Sequence, residues 1–549
     1  MPEVRQSTQL SALVAQILAQ RGYTTPGQIQ EFLDPDYNSG LHDPFLLTGM
    51  AAAVERIISA IKNRQSIGIY GDYDIDGLTA SAAMLDFLSS LGAKAEVYIP
   101  DRFEEGYGIN TEALTKLKAK GIDLVISVDC GITSLAEADW ARTNKLDLII
   151  TDHHSVPDQL PQALAVINPK QPGDNYPFKD LAGVGVAFKL IQGIQQKLGR
   201  PEPGQEKWLL DLVALGTVCD VVTLVGENRL LVKYGLKVMA KSRRVGLKAL
   251  ADVAGIDLGG ISSYHLGFML GPRLNAAGRL EHAQKALALL TATNSSEAGQ
   301  LADYLDGLNQ ERRDQQAQIL AEAGTQAERY QNDPILVLAS PDWSHGIVGI
   351  VASKLVERWH KPVLIMQIMG DLAKGSARST ANFNLIENLR KLDERFVKLG
   401  GHHFAAGFTI KSADIEKLRA ELIERMAAAD PARSEGEEAD LEVDNFSSLK
   451  LDLIREIDLL EPFGNGNPKP IIAIPNLKVV RVGQVGKDQK HLKLALADTG
   501  GETLTALGFN MADRHPNLSI GQSIEVKTQL VSNAFFGQPE PELVLISLQ

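Results

Sequence analysis

SIGIYGDYDIDG, residues 66–77, decides how the chain is read. Its first half is a short β-branched and apolar run, the composition of a buried strand. Its second half alternates acids with other residues: Asp72, Asp74 and Asp76. Gly77 and the apolar stretch Leu78–Leu91 then read as a turn into a helix. Strand, acidic turn and helix make up the repeating unit of a parallel sheet, and in such sheets ligands sit beyond the carboxyl ends of the strands.

The same pattern recurs further along. AEVYIP (95–100), DLVISVD (123–129) and DLIITD (147–152) are also short apolar runs, with helical spacing over Thr111–Lys118 and Ser134–Arg142. Acids or histidines stand where such runs stop: Asp129 in ISVDCG, Asp152, His153 and His154 in IITDHH, and Asp220 in GTVCDVV, which reads as a fourth strand end. The spacing predicts an α/β fold whose parallel sheet brings these groups to one edge. Taken singly, each has a plainer reading. A strand-end Asp commonly caps a turn or helix, and a lone His is more often structural. Together they place several carboxylates and two imidazoles side by side, each carboxylate raising the pKa of the others. Divalent cations remove that conflict, and oxygen donors with an imidazole suit Mn²⁺ or Mg²⁺. Two such ions about 3.5–4 Å apart, bridged by a carboxylate, serve phosphoester hydrolysis. Cys130 and Cys219 flank two of the candidates. Alternation along a strand would turn both thiols away from the metals, as small packing residues.

Length and composition set the frame. The chain has 549 residues, which calls for roughly three domains. With 44% hydrophobic and 22% charged residues it has the make-up of a globular protein. Apolar runs are too short to span a bilayer, and MPEVRQSTQLSALVAQ lacks a signal-peptide core, so a cytoplasmic location is expected. Two cysteines exclude a disulfide framework and a Cys-rich zinc site. A net charge of −13 argues against a nonspecific coating of nucleic acid. It leaves room for a locally basic groove, because many acids lie in segments such as Glu435–Asp440 and others would be offset by metal.

Six stretches follow from the patterning. Residues 1–60 read as a helical extension, with helical spacing over Ser11–Arg21 and Ala51–Lys62, and carry no chemistry of their own. Residues 61–294 hold the sheet with the acids, and 295–332, polar and helical throughout, connect it onward. A second, smaller α/β unit covers 333–428, with ILVLAS and PVLIMQI as strands about the helix GIVGIVASKLVERWH. A polar linker occupies 429–440. The runs NLKVVRVGQV, HLKLALAD and SIEVKTQL make 441–549 a small β-barrel.

Later motifs are rich in groups that bind phosphate. GPRLNAAGRL (271–280) sets Arg273, Asn275 and Arg279 among small residues, where guanidiniums can grip phosphate if Glu281 does not pair with them. SPDWSHGIVGIVASKL follows a strand and opens a helix, an anion site with Ser344 and His345 at its start. SARST offers Arg378 and Ser379, and GGHHFAAGF offers Gly400, Gly401 and His402. In the barrel, Phe463, Lys490, Lys493, Phe535 and Phe536 are candidates for contact with a single strand, although aromatics in a small barrel are more often core.

Read in order, GDYDIDG, VDCG, DHH and the later Asp220 resemble the four motifs of the DHH phosphoesterase superfamily. SHGIVGIVASKL, ARST and GGHHFAAGF are similar to the DHHA1 domain, and EPFGNGNPKP is similar to the segment that opens the OB-type domain of the RecJ family. The likeness spans roughly residues 45–549, and the order of the units points to the RecJ branch. It implies that Asp74, Asp76, Asp129, His153 and Asp220 hold two divalent cations, Mn²⁺ or Mg²⁺, with Asp129 as the bridge. It also implies that Asp72 completes the first motif, touching a metal or orienting its ligands. His154 would contact phosphate or assist proton transfer, and Asp152 would orient the histidines. Ser344, His345, Arg378, Ser379, Gly401 and His402 fall where DHHA1 domains bind substrate. The activity implied is 5′→3′ hydrolysis of single-stranded DNA to 5′-mononucleotides in repair and recombination. Single-strand-binding protein and a helicase are the partners implied.

Two other readings stay open. A phosphodiesterase for short oligoribonucleotides or cyclic dinucleotides shares the first two units and would prefer short RNA to long single-stranded DNA; the C-terminal barrel argues against it. A catalytically silent scaffold would hold single-stranded DNA without metal and without product; the complete set of acids and histidines argues against it.

Overall fold

The computed structural model describes residues 10–102, 104–380, 382–427, 438–533 and 537–549. Phe535 and Phe536 lie outside the described residues. Five strands, β1 (Ser66–Gly71), β2 (Lys94–Tyr98), β3 (Leu124–Val128), β4 (Asp147–Thr151) and β5 (Ala165–Ile167), pair in parallel in the order β2-β1-β3-β4-β5. All of β3 and all of β4 beyond Asp147 are buried, which is why they read as unbroken apolar runs. The register sets Gly71 beside Val128 and Val128 beside Thr151. Asp72, Asp129 and Asp152, each the next residue, therefore leave the sheet along one edge.

The helix Ile75–Ser90 begins at Ile75 rather than Leu78, because Asp74 caps it: its side chain accepts the Gly77 N–H. This helix is buried almost all round, between the sheet and the helices Gly183–Leu198 and Leu210–Cys219. Here the structure corrects the sequence reading. GTVCDVV is the end of the helix Leu210–Cys219, with Asp220 at its C-cap, and not the end of a strand. The helix is apolar on all sides because it is covered on all sides, and such a run has no period to tell helix from strand. Cys219 ends this helix, so strand alternation does not turn its thiol away from the acids. Its Sγ donates to the Leu266 carbonyl at 3.5 Å, and the side chain lines the same cavity as Asp72 and Asp74. Cys130 is fully buried, with its Sγ toward the Tyr70 carbonyl.

The helix Ser295–Arg329 serves two cores. Ala298, Ala302 and Leu305 pack with the first unit, and Ile319, Ala323 and Ala327 pack with the helix Val348–Trp359 of the second. In the second unit β6 (Leu336–Ser340), β7 (Val363–Met369), β8 (Leu372–Arg378), β9 (Phe396–His402) and β10 (Ala405–Lys411) run in the order β6-β7-β8-β10-β9, with only β6 and β7 parallel.

The third sheet comprises β11 (Leu441–Glu442), β12 (Ile472–Val485), β13 (His491–Ala497), β14 (Thr503–Gly508), β15 (Ser523–Asn533) and β16 (Glu540–Leu548). β12 pairs with β15 as well as β13, so the last five strands close into a barrel. Its core runs on into the N-terminal helices: Val14, Ile17, Leu18 and Phe32 share one buried cluster with Ile454, Ile457 and Ile474. The buried Arg229 guanidinium joins these layers, donating to the carbonyls of Phe32 and, at 2.9 Å, Leu460. Among the described residues no helix is long and apolar enough to cross a membrane.

Candidate metal centre and substrate cleft

Four segments supply the site. Past β1, Asp72 and Asp74 cross a loop and Asp76 sits in the first helical turn. Close packing requires the glycine here, since a β-carbon on Gly77 would lie 2.6 Å from the Asp72 backbone. Past β3, Asp129 stands at φ +63, a left-handed conformation that Asp tolerates better than most residues. Past β4, Asp152 acts as a hub. Its Oδ1 accepts the His153 N–H (2.7 Å) and the His154 N–H (3.0 Å) and lies 2.7 Å from His154 Nδ1, while its Oδ2 accepts the Ile132 N–H (2.9 Å). Asp220 arrives from the helix end.

These groups converge. His153 Nε2 lies 3.3 Å from Asp129 Oδ1, 3.5 Å from Asp220 Oδ2 and 3.8 Å from Asp76 Oδ2. Three overlapping groups could each hold a cation: Asp129 with His153 and His154; Asp76 with His153 and Asp220; Asp72 with Asp74 and Asp129. The close His153–carboxylate approaches are not ion pairs. Burial, reinforced by the neighbouring His154, pushes the His153 imidazole down to about 3, so it is neutral. Burial and the surrounding carboxylates push Asp72, Asp129 and Asp220 well above the usual carboxylate range and Asp76 up to about 7. Asp72 Oδ1, Asp129 Oδ1 and His153 Nε2 are buried with no hydrogen-bond partner among the described residues. Burying that many acceptors against one another is costly unless a cation joins them. The donors, carboxylate oxygens with one imidazole nitrogen, fit Mn²⁺ or Mg²⁺.

Beside this cluster lies a cavity of about 290 Å³ lined by Asp72, Tyr73, Asp74, Arg102, Tyr107, His154, Asn275 and Arg279. Burial opposes protonation of His154, but its bond to Asp152 and the charges of Asp152, Asp220 and Asp74 outweigh this and hold it up to about 9. Tyr107 O–H lies 3.2 Å from His154 Nδ1. Arg279 donates to the Gly346 carbonyl of the second unit and so spans the cleft. Burial and the nearby guanidiniums of Arg102, Arg312 and Arg378 push it down to about 9. These arginines bond to neutral groups: Arg312 to Asn309 and Gln316, Arg378 to Ser376 and the Ala377 carbonyl. Such a cluster of positive charge lowers its own energy by taking an anion.

The chain is similar to known proteins along nearly its whole length. Three family profiles match in order along the chain: the DHH family N-terminal domain over residues 66–217, the DHHA1 domain over 332–428 and the RecJ OB domain over 439–547. The single-stranded-DNA-specific exonuclease RecJ of Dickeya dadantii is 35% identical, with 98% of this chain and 96% of that protein covered. The chain belongs to the RecJ family. The Bacillus subtilis RecJ is 39% identical over 98% of this chain and 68% of its own length. The crystal structure of Thermus thermophilus RecJ with Mn²⁺ superposes with a TM-score of 0.87 at 31% identity, covering 100% of this chain and 77% of that one; the Mg²⁺ complex gives 0.80.

Within this RecJ-family chain the candidates divide by placement. Asp72, Asp74, Asp76, Asp129, Asp152, His153, His154, Asp220, Asn275 and Arg279 gather around the metal centre and its cavity. Across the cleft, Arg378 closes β8, and His345 bonds Gln367 through its N–H (3.1 Å) and lies 3.0 Å from it at Nδ1. The His402 imidazole is pushed down by burial and by the charges of Arg378 and His154. Ser344 accepts the Ile347 and Val348 N–H groups through its carbonyl, opening the helix Val348–Trp359. Ser379 Oγ donates to the Phe383 carbonyl. Gly401 is needed by the β9–β10 hairpin, because a β-carbon there would lie 2.3 Å from the Ala405 carbonyl.

Arg273 is placed otherwise than its motif suggested. Its Nε is 2.8 Å from Asp306 Oδ1 of the long helix and its NH1 donates to the Met269 carbonyl, so it pairs within the protein and does not line the cavity. Glu281 pairs with neither arginine of that motif and takes the Tyr304 hydroxyl instead. In the barrel, Phe463 is partly buried against the core, Lys490 pairs with Asp488 at 3.4 Å, and Lys493 lies within β13. Sequence reasoning missed Arg102, Tyr107, Arg312, and Lys170, whose Nζ donates to the His153 carbonyl at 2.7 Å. It also missed Gly183 and Val184, whose N–H groups hold Asp76 at 2.6 and 2.8 Å. Backbone donors carry no side-chain signature; the glycine-rich start AGVGVAF was the available hint.

Proposed function

We propose that this chain is a metal-dependent exonuclease specific for single-stranded DNA. The observation that carries the reading is the set of buried, unpartnered Asp129 and His153 atoms facing Asp76 and Asp220, beside a cavity walled by arginine. The named activity of the RecJ relatives and the Mn²⁺- and Mg²⁺-bound structures support it. Asp74, Asp76, Asp129, His153 and Asp220 would hold two divalent cations, with Asp129 between them and Asp72 beside them. Bound there, such ions supply Lewis acidity at the scissile phosphate. His154, held protonated by Asp152, offers a proton donor to a phosphate or leaving oxygen. Arg279, with Arg102, Arg312 and Arg378, grips a terminal phosphate, and the groups on the far wall, His345 and His402 among them, position the nucleotide. A cleft that Arg279 bridges by its bond to the Gly346 carbonyl suits one strand better than a duplex. The 5′→3′ polarity and the release of 5′-mononucleotides are taken from the resemblance to the RecJ family, and a 5′-terminal phosphate held at the arginines would suit them. The barrel holds the strand further along.

This activity belongs to DNA repair and recombination in the cytoplasm, where a helicase and single-strand-binding protein would present such strands. A small-nucleotide phosphodiesterase would have no use for the barrel, and a silent scaffold none for the metal cluster. The test is digestion of end-labelled long single-stranded DNA with Mn²⁺ or Mg²⁺ by the native chain and Asp129→Ala. Metal-dependent mononucleotide release by the native chain alone is the expected result, from 3′-blocked but not 5′-blocked strands. Equal activity in the variant would overturn the site, and no release with either metal would overturn the function.

A further inference from the structure

The residue after Asp220 holds a conformation that its side chain disfavours. Val221 stands at φ +60, in the left-handed region, where a β-branched residue is an outlier. The residue is 66% exposed, so burial does not hold it there. The backbone bonds around it identify what does. Asn465 Nδ2 donates to the Val221 carbonyl at 2.9 Å, and the Leu224 N–H donates to the Asn465 carbonyl at 2.7 Å. One residue of the barrel unit thus clamps both ends of the loop that leaves the metal centre.

The clamp is itself anchored. Gly464 and Asn467 exchange backbone hydrogen bonds of 3.0 and 3.1 Å, making a tight turn with Asn465 near its tip. The Asn467 side chain donates to the carbonyls of Leu460 (2.9 Å) and Pro462 (2.8 Å) and accepts from Arg21 at 2.7 Å. Ser263 Oγ donates to the Phe463 carbonyl at 2.6 Å. The glycines let the turn lie against the loop: a β-carbon on Gly464 would stand 2.7 Å from Leu224 Cδ1, and Gly466 has φ +74. On the other side, the Asp220 backbone N–H is fixed to the Gly216 carbonyl at 2.9 Å as a helix cap. Asp220 thus lies between a rigid helix end and a loop held from the barrel, with its Oδ2 3.5 Å from His153 Nε2.

We propose that Asn465 is a positioning residue for Asp220. The GNGN turn that precedes β12 in the barrel unit sets the backbone on which this carboxylate is carried, and so the barrel unit completes the metal centre as well as binding the strand. The inference rests on the metal-dependent reading above and deepens it, by giving the barrel a part in forming the site.

The experiment uses the full chain, stripped of metal and titrated with Mn²⁺ by calorimetry, with kcat and KM measured on single-stranded DNA. Asn465→Ala removes the donor. Asn465→Asp keeps the shape and the main-chain bond to Leu224, and so guards against a folding defect. Both are expected to weaken Mn²⁺ binding about fivefold, the order of one lost hydrogen bond, and to lower kcat with KM changed less than about twofold. Adding Val221→Gly, which adopts φ +60 without strain, is expected to restore most of the Mn²⁺ affinity of Asn465→Ala. Native Mn²⁺ affinity in both Asn465 variants, a loss confined to KM, or no rescue by Val221→Gly would overturn the proposal. A native chain that binds no Mn²⁺ would overturn the metal reading itself, and this inference with it.

Discussion

Gly183 stands so close to Asp129 that a β-carbon on the glycine would lie 2.3 Å from the Asp129 Oδ1 atom. The same glycine donates its N–H to Asp76 Oδ2 at 2.6 Å. One residue without a side chain therefore spaces two candidate ligands. Gly183→Ala must displace Asp129 or the helix start. Overpacking of this kind costs about 1–3 kcal/mol, and a displaced ligand puts that cost into metal binding. Mn²⁺ affinity is expected to fall about ten- to hundredfold, read by titration of a variant whose circular dichroism is native. Unchanged affinity would mean that Asp129 is not a ligand.

Asp129 itself offers a test in which stability and activity move in opposite directions. Its buried carboxyl is pushed well above the usual range by burial and by Asp76, Asp74, Asp220 and Asp72. In the metal-free protein at neutral pH, Asp129→Asn relieves that repulsion and is expected to raise the melting temperature by a few degrees. It is also expected to abolish the further rise that Mn²⁺ gives the native chain, and to lower exonuclease turnover by about a thousandfold or more.

The raised acids also set a pH dependence. Folding lifts Asp76 to about 7 and Asp72, Asp129 and Asp220 well above their ordinary values. Between the unfolded carboxylate range and about pH 7, the native state binds protons that the unfolded chain has released. Metal-free stability contributed by these groups therefore falls as pH rises through that window. Cations replace those protons, so the gain in melting temperature on adding Mn²⁺ is expected to grow as pH rises through about 7. Calorimetric melting with and without Mn²⁺ across that range measures it. A gain independent of pH would contradict the assignment.

Asp152 acts through His154. Asp152→Asn removes the hydrogen-bonded charge that does most to hold the imidazole up to about 9, leaving burial opposed only by Asp220 and Asp74. The alkaline limb of the kcat profile is expected to move to lower pH, and kcat at neutral pH to fall about ten- to hundredfold. A residue serving only to hold the loop would lower stability without moving the limb.

Arg279 is expected to read the strand end. Arg279→Gln removes one guanidinium from a cluster that includes Arg102, Arg312 and Arg378. KM for a 5′-phosphorylated strand is expected to rise about tenfold or more, the scale of a charged hydrogen bond, with a smaller change for a 5′-hydroxyl strand. Equal effects on both strands would place the terminal phosphate elsewhere.

Much of the candidate site is legible in the sequence because its information is local. An apolar run followed by Asp72, Asp129 or Asp152 says both that a strand ends and that an acid stands at its end. Asp220 reads as a candidate from its motif but its element does not, because the helix before it is apolar almost throughout and shows no period. Arg102 and Arg312 gave no signal, since one arginine in a polar stretch looks like any solvated charge.

By itself the sequence determined the identity and order of the acids and histidines, the parallel sheet that delivers most of them, and the succession of three folded units. These depend on composition and period over short windows, where backbone geometry follows from neighbouring residues. Only the tertiary structure decided that Arg273 is spent on Asp306 while Arg279 reaches the cavity, and that the N-terminal helices finish the barrel core. It alone set Asn465 against the loop behind Asp220. Such pairings arise from how distant segments pack, and linear periodicity carries no record of which segment a side chain or a backbone carbonyl will face.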